Sequence, residues 1–251
     1  MANEMEYAVI VGATGDFGQA IVRAVAARGL AIVAVGRTAE SLKSLVRDVP
    51  GVTPCIADIA DDSAIAAIAA AVTGPVRLAV HGPGLSAPGG VGEIAPGALA
   101  DSVNIKAGGM LRLVRGVDAR LVDGSRLVAI AGHYGLEPTA YAASAGVANA
   151  ALINLSRQLS LEYGPRGVTA HVIAPGPADT ARLRRVVANA AARRGVDTET
   201  VLEEIREQSS IGGMVTPEQV AWSVALLLDP EASAMTGSTL MLDGGRRRGL
   251  P

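Results

Sequence analysis

Short, uninterrupted apolar runs recur along the whole chain, each followed by a stretch with helical spacing. Runs fall at residues 7–11, 31–35, 52–57, 77–81, 125–131, 168–174 and 239–242. Helical spacing falls at 17–28, 39–48, 62–72, 98–121, 140–163, 181–193, 198–208 and 217–228. In the first helix Ile21, Val22, Val25 and Ala26 share one face, and Gly29 stops it. A strand that is apolar at every position is buried on both faces, which requires a parallel sheet covered by helices on each side. Right-handed crossovers then give a doubly wound, Rossmann-type α/β fold. No linker, repeat or low-complexity tract divides the chain, so residues 1–251 are expected to form one domain.

Composition removes several classes of function. With 49% hydrophobic and 18% charged residues the chain can bury a large core. A net charge of −2 lacks the basic surface that nucleic acid or an anionic membrane demands. A single cysteine, Cys55, excludes a disulfide framework, and His81, His133 and His171 lack metal-ligand spacing. The N-terminus carries acidic residues where a signal peptide has basic ones, and no apolar run is long enough for a membrane span. A soluble cytoplasmic protein acting on a small molecule, with no metal, is expected. Lysine occurs twice, at Lys43 and Lys106.

The first strand runs into Gly12-Ala13-Thr14-Gly15-Asp16-Phe17-Gly18 and then a helix. Glycines permit a sharp turn and close backbone approach, and the helix N-terminus offers free N–H groups to a pyrophosphate. The pattern predicts nucleotide binding through Gly12, Thr14, Gly15, Asp16, Phe17 and Gly18. The second strand ends in Gly36-Arg37 where an NAD site would carry a carboxylate for the ribose hydroxyl. Arg37 suits a 2′-phosphate, so NADP(H) is expected over NAD(H). Asp58, closing the third strand, can accept a hydrogen bond from an adenine amino group, or simply form a turn.

From Tyr7 to Gly245 the chain resembles a classical short-chain dehydrogenase/reductase. The glycine turn, Asp58-Ile59, Asn104 in Ser102-Val103-Asn104-Ile105, and Tyr141-Ala142-Ala143-Ser144 are similar to family motifs. So are Pro175-Gly176 with Thr180, Thr236-Gly237 and Leu242-Asp243-Gly244-Gly245. The resemblance implies that Ile59 touches adenine and that Pro175, Gly176 and Thr180 hold the nicotinamide carboxamide. It implies that Asn104 holds a water in a proton relay and that Tyr141 exchanges a proton with the substrate. Gly82 is implied at the cofactor, although His81-Gly82-Pro83-Gly84 retains only the last residue of the family's Asn-Asn-Ala-Gly.

The departures lie in the catalytic motifs. The family Lys is Ala145 here, and the family Ser aligns with Gly132. Neither Lys43 nor Lys106 is expected to replace the lysine. Without that cation Tyr141 remains a phenol at neutral pH, better able to give a proton than to take one. His133 and Tyr134, at the C-terminal end of the fifth strand, are candidate replacements. Ser144, three residues beyond Tyr141 and so on one helix face with it, is another.

Three readings stay open. The first is an NADPH-dependent reductase of a carbonyl or related group. The others are a non-redox cyclase, dehydratase or isomerase on the same scaffold, and an inactive cofactor-binding homologue. Residues 180–210 fall at the family's substrate lid. Arg246–Arg248 read as a solvated tail, and Asn149 as a polar contact between subunits. The resemblance implies a homodimer or homotetramer, with the small face of Ala145, Ala148 and Leu152 at the contact.

Overall fold

The computed structural model describes residues 5–85 and 89–249. Seven strands form one parallel sheet in the order β3-β2-β1-β4-β5-β6-β7. They are β1 (Tyr7–Val11), β2 (Ala31–Gly36), β3 (Val52–Ile56), β4 (Val76–His81), β5 (Leu121–Ile130), β6 (Thr169–Pro175) and β7 (Thr239–Leu242). The helices are α1 (Asp16–Ala26), α2 (Ala39–Asp48), α3 (Ser63–Ala71), α4 (Pro96–Val103), α5 (Gly109–Val117), α6 (Ala143–Tyr163), α7 (Ala181–Arg194), α8 (Thr198–Glu207) and α9 (Pro217–Leu226).

The continuous apolar runs are explained by two cores, one on each face of the sheet. On β1, Ala8 and Ile10 join Ile21 and Val25 of α1, Leu42 of α2 and Val224 of α9. Val9 and Val11 join Ile68 of α3, Leu113 of α5 and Leu152 of α6. Each strand residue is therefore buried whichever way it points. Chain order runs outward from β1 in both directions, to β2 on one side and β4 on the other. Crossovers on opposite faces leave a crevice at the C-terminal ends of these two strands, where ligands bind in such sheets. Helices α7 and α8 build a small separate cluster from Val187, Ala191 and Val201. No helix among the described residues is long and apolar enough to cross a membrane.

Three elements differ from their sequence expectation. The single helix expected over 98–121 is α4, a π-helical turn (Asn104–Gly108), α5 and a short 3₁₀ turn (Asp118–Arg120). A π turn inserts one extra residue, so the side chains after it face in a new direction. Strand β5 starts at Leu121 rather than 125, with its register on β4 shifting between Val76 and Leu78. Helix α6 starts at Ala143 rather than 140. Ala142 has φ −128° and ψ 52°, outside the helical region, so Tyr141 stands before the helix and not on it.

Candidate active site

The expected cofactor residues gather along the C-terminal edge of the sheet. Gly12, directly after β1, has φ +81°, a left-handed conformation that favours glycine. A Cβ there would lie 2.9 Å from the Pro83 nitrogen and 3.0 Å from the Gly82 carbonyl carbon, just beyond β4. A Cβ on Gly18 would lie 2.1 Å from the Gly12 carbonyl oxygen. The turn thus folds this tightly only with glycine at both positions. Gly15 is the N-cap of α1 and contributes no side-chain cap, which leaves the helix N-terminus open to an anion. Thr14 is held through its carbonyl, which accepts from Gln19 Nε2 at 3.0 Å, and Phe17 packs on the core. This glycine cradle fits a nucleotide diphosphate.

The remaining cofactor candidates flank it. Arg37 is exposed just after β2, and among the described residues no carboxylate forms an ion pair with it. Asp58 is exposed after β3 and accepts from the Ala60 N–H at 3.0 Å, while Ile59 is buried. Gly176, after β6, donates its N–H to the Leu242 carbonyl, and a Cβ there would lie 2.9 Å from Asp243 Cα. Thr180 caps α7 by accepting from the Leu183 N–H at 3.2 Å. Asp16 turns its carboxylate away from the glycine cradle, onto the Ala181 N–H at 3.1 Å, and so joins α1 to α7.

The four expected catalytic side chains occupy different settings. Asn104 donates to the Ala60 carbonyl at 3.0 Å and accepts from Arg112 at 2.9 Å, so its amide is tied to the turn after β3 and to α5. Ser144 is buried, whereas Tyr141 is 62% exposed. The shared helix face expected for them is absent because Tyr141 precedes α6. Tyr141 instead meets Tyr134, with the two hydroxyl oxygens 2.8 Å apart and the rings edge to face. Burial, and then the bond to Tyr141, holds the Tyr134 hydroxyl above the usual tyrosine range. His133 is buried with its ring 3.9 Å from that of Tyr134. Burial, aided by Arg246, pushes its pKa down, so it is a neutral imidazole.

Several residues take part that sequence reasoning placed elsewhere. Asn149 is 6% exposed and lies inside the subunit rather than at a contact between subunits. A Cβ on Gly132 would stand 2.9 Å from Asn149 Nδ2. The amide would have to shift to admit a serine at 132. Ala148 and Leu152 are fully buried, so the small face of α6 packs inward instead of forming an outer surface. The tail after β7 is folded, not free. Asp243 accepts from the Gly245 and Arg247 N–H groups, Glu137 accepts from the Arg248 N–H, and Arg246 faces His133 and Tyr134. Five buried polar atoms lack partners among the described residues, and three of them, on His133, Thr139 and Asn149, border this region. Such atoms are rare and mark places where a ligand or water completes the bonding.

Lys106, which sequence reasoning set aside, is buried near the end of β5. It projects from the π turn, is 5% exposed, and donates to the Ile130 carbonyl at 2.8 Å. Burial, with Arg182 of α7 adding repulsion, pushes its pKa down to about 7. Alongside it, His81 Nε2 lies 3.0 Å from the Ile105 carbonyl, tying β4 to the same turn. Burial and the Lys106 charge push His81 down to about 3. A Cβ on Gly109 would lie 2.7 Å from the His81 ring, so glycine there lets the helix close on β4.

The fit of Asn149 against Gly132 is testable by mutation. Gly132→Ser is expected to lower stability by about 1–3 kcal/mol through overpacking. Adding Asn149→Ala is expected to recover a substantial part of that loss, measured by urea unfolding of all three variants. Simple additivity of the two substitutions would contradict the packing described.

The same chain has clear relatives. A family model described as enoyl-(acyl carrier protein) reductase matches residues 12–247. The short-chain reductase protein NovJ of Streptomyces niveus is 30% identical over 254 residues, covering 95% of this chain and 93% of its own. L-xylulose reductase of Mus musculus is 28% identical, covering 95% of each chain. Among solved structures, a variant actinorhodin polyketide ketoreductase with NADPH superposes with a TM-score of 0.90 at 26% identity, covering 99% of this chain and 100% of that one. L-sorbose reductase of Gluconobacter frateurii, complexed with NADPH and L-sorbose, shares the fold at a TM-score of 0.90 and 24% identity, covering 98% of each chain. Strand order, glycine turn and full-length similarity agree: the chain belongs to the short-chain dehydrogenase/reductase family of NAD(P)-dependent oxidoreductases.

Proposed function

We propose that this oxidoreductase is an NADPH-dependent reductase of a carbonyl group. The observation that carries the reading is the glycine cradle between β1 and β4, with an arginine just after β2 that has no ion pair among the described residues. In this reading the α1 N-terminus and Gly12–Gly18 hold the pyrophosphate and Arg37 holds the 2′-phosphate. Asp58 and Ile59 border the adenine, Gly82 backs the crevice, and Pro175, Gly176 and Thr180 hold the carboxamide. The nucleotide, when bound, supplies a hydride. NADPH complexes and reductases among the relatives support the choice of cofactor and direction.

The protein's own part is to deliver a proton to the substrate oxygen. Tyr141 gives its hydroxyl proton to the substrate oxygen and, being exposed, takes a proton back from solvent. Tyr134, bonded to it at 2.8 Å and held as a phenol by burial, positions that hydroxyl without giving up its own proton, and a phenol at this place suits reduction better than oxidation. His133 and Ser144 then serve as wall and support beneath this pair, and Asn104 fixes the π turn. Helices α7 and α8, joined to α1 through Asp16, form the lid over residues 180–210. The reading includes a cytoplasmic location and a homodimer or homotetramer. The outward side of α6, where Val147 and Leu161 are 49% and 63% exposed, supplies its apolar contact.

Two measurements test this. Titration followed by nucleotide fluorescence is expected to show NADPH binding at least about tenfold more tightly than NADH. Arg37→Ala is expected to remove that preference, a loss of about 1.4 kcal/mol. Equal affinities in the unaltered protein would contradict the role of Arg37. In a panel of ketones, Tyr141→Phe is expected to lower kcat by about 10²–10⁴-fold with nucleotide affinity unchanged. Full activity in that variant would remove Tyr141 from the chemistry.

A further inference from the structure

Lysine is scarce in this chain, and one of its two lysines is buried at the sheet's ligand-binding edge. Lys43 is exposed and paired with Glu40. Lys106 is buried, and among the described residues no carboxylate pairs with it. The charged or titratable groups facing it are His81 of β4 and Arg182 of α7, and neither neutralises an ammonium. Among the described residues its one bond is to the Ile130 carbonyl, at 2.8 Å. An ammonium carries three donors, so two remain for another acceptor. Burying a charge with so little compensation costs stability, and a leucine would fill the place without that cost.

The position of Lys106 is specific. Ile130 is the last residue of β5, two before Gly132. The Ile130 side chain lies 3.5 Å from where a Gly82 Cβ would stand, and the Gly82 carbonyl oxygen lies 3.1 Å from where a Gly12 Cβ would stand. Gly12, Gly82 and Ile130 are thus neighbours at the C-terminal ends of β1, β4 and β5. The π turn also packs against α6, the helix that carries Ala145.

We propose that Lys106 is a ligand-binding residue of the active site. It reaches from the π turn to donate a hydrogen bond to a ligand oxygen at the nicotinamide end of the crevice, where α6 offers only Ala145. This departs from the expectation that neither lysine is placed to serve. It rests on the nucleotide reading above. The π turn acquires a purpose, because a regular α-helix through 104–108 would aim residue 106 elsewhere. A bound oxygen acceptor favours the ammonium form and opposes the effect of burial and of Arg182.

Having only two lysines makes a direct test possible. Protein labelled with ¹³C at lysine Cε gives two signals, and Lys43→Arg assigns them. The Lys106 signal is expected to titrate near pH 7 in the free protein. NADP⁺ is expected to move that titration upward by roughly one pH unit or more and to leave Lys43 unmoved. Adenosine 2′,5′-bisphosphate, which lacks the nicotinamide half, is expected to leave both signals unmoved. If NADPH fluorescence shows binding and NADP⁺ does not move the Lys106 signal, the proposal fails while the nucleotide reading stands. An equal shift with the bisphosphate also overturns it, since Lys106 would then not report on the nicotinamide end. If no nucleotide binds at millimolar concentration, the nucleotide reading falls and the proposal with it.

Discussion

The parallel pairing of β1 with β4 is the constraint on which the rest depends. Val11 pairs with His81 at its C-terminal end, and the Gly82 N–H donates to the Val11 carbonyl beyond it. That pairing brings two chain turns together where the strand order reverses. The two turns approach this closely because no side chain grows from Gly12, where a Cβ would lie 2.9 Å from the Pro83 nitrogen. Every expected cofactor residue is then placed by a strand end, which positions it more firmly than a free loop would. The floor of the site is built from strand ends, whereas Tyr141 and helices α7 and α8 belong to segments outside the sheet.

The chemistry is distributed in an unusual way on this floor. A hydroxyl at 132 is excluded by the Asn149 amide, and a long cation at 145 is absent, yet neither space is simply empty. The Asn149 amide borders the first, and the work of the second is proposed for Lys106 of the π turn. The cationic residues Lys106, Arg182 and Arg246 lie around the site without carboxylate partners among the described residues. The lid's Arg184 and Arg194, by contrast, are paired with Asp179 and Glu204.

Much of the frame was legible from residue order. Continuous apolar runs announced a two-sided parallel sheet, and the glycine spacing after β1 announced its crevice, because both follow from short-range sterics. The misreadings share a cause. Lys106 lies in a stretch whose periodicity reads as one helix from 98 to 121, and a one-residue π insertion leaves no mark on such a pattern. Its nearest sequence signal was Gly108-Gly109, which permits the close approach to His81. Asn149 looked like a surface group because an internal amide makes sense only once Gly132 is seen beneath it. Tyr141 was read as helical by continuation from Ala143, yet the backbone at Ala142 turns it outward to Tyr134. Each error concerns a contact between segments distant in the chain, which local propensity does not encode.

The central claim is that a lysine displaced to the π turn serves the ligand at the β4–β5 end of the crevice. A crystal structure of the NADP⁺ complex tests it most directly. The account predicts the nucleotide laid from Arg37 across the glycine cradle, with Lys106 Nζ within about 3.2 Å of an oxygen at its nicotinamide end or of a substrate oxygen beside it. A complex in which the nucleotide is bound but Lys106 still contacts only the Ile130 carbonyl would contradict it.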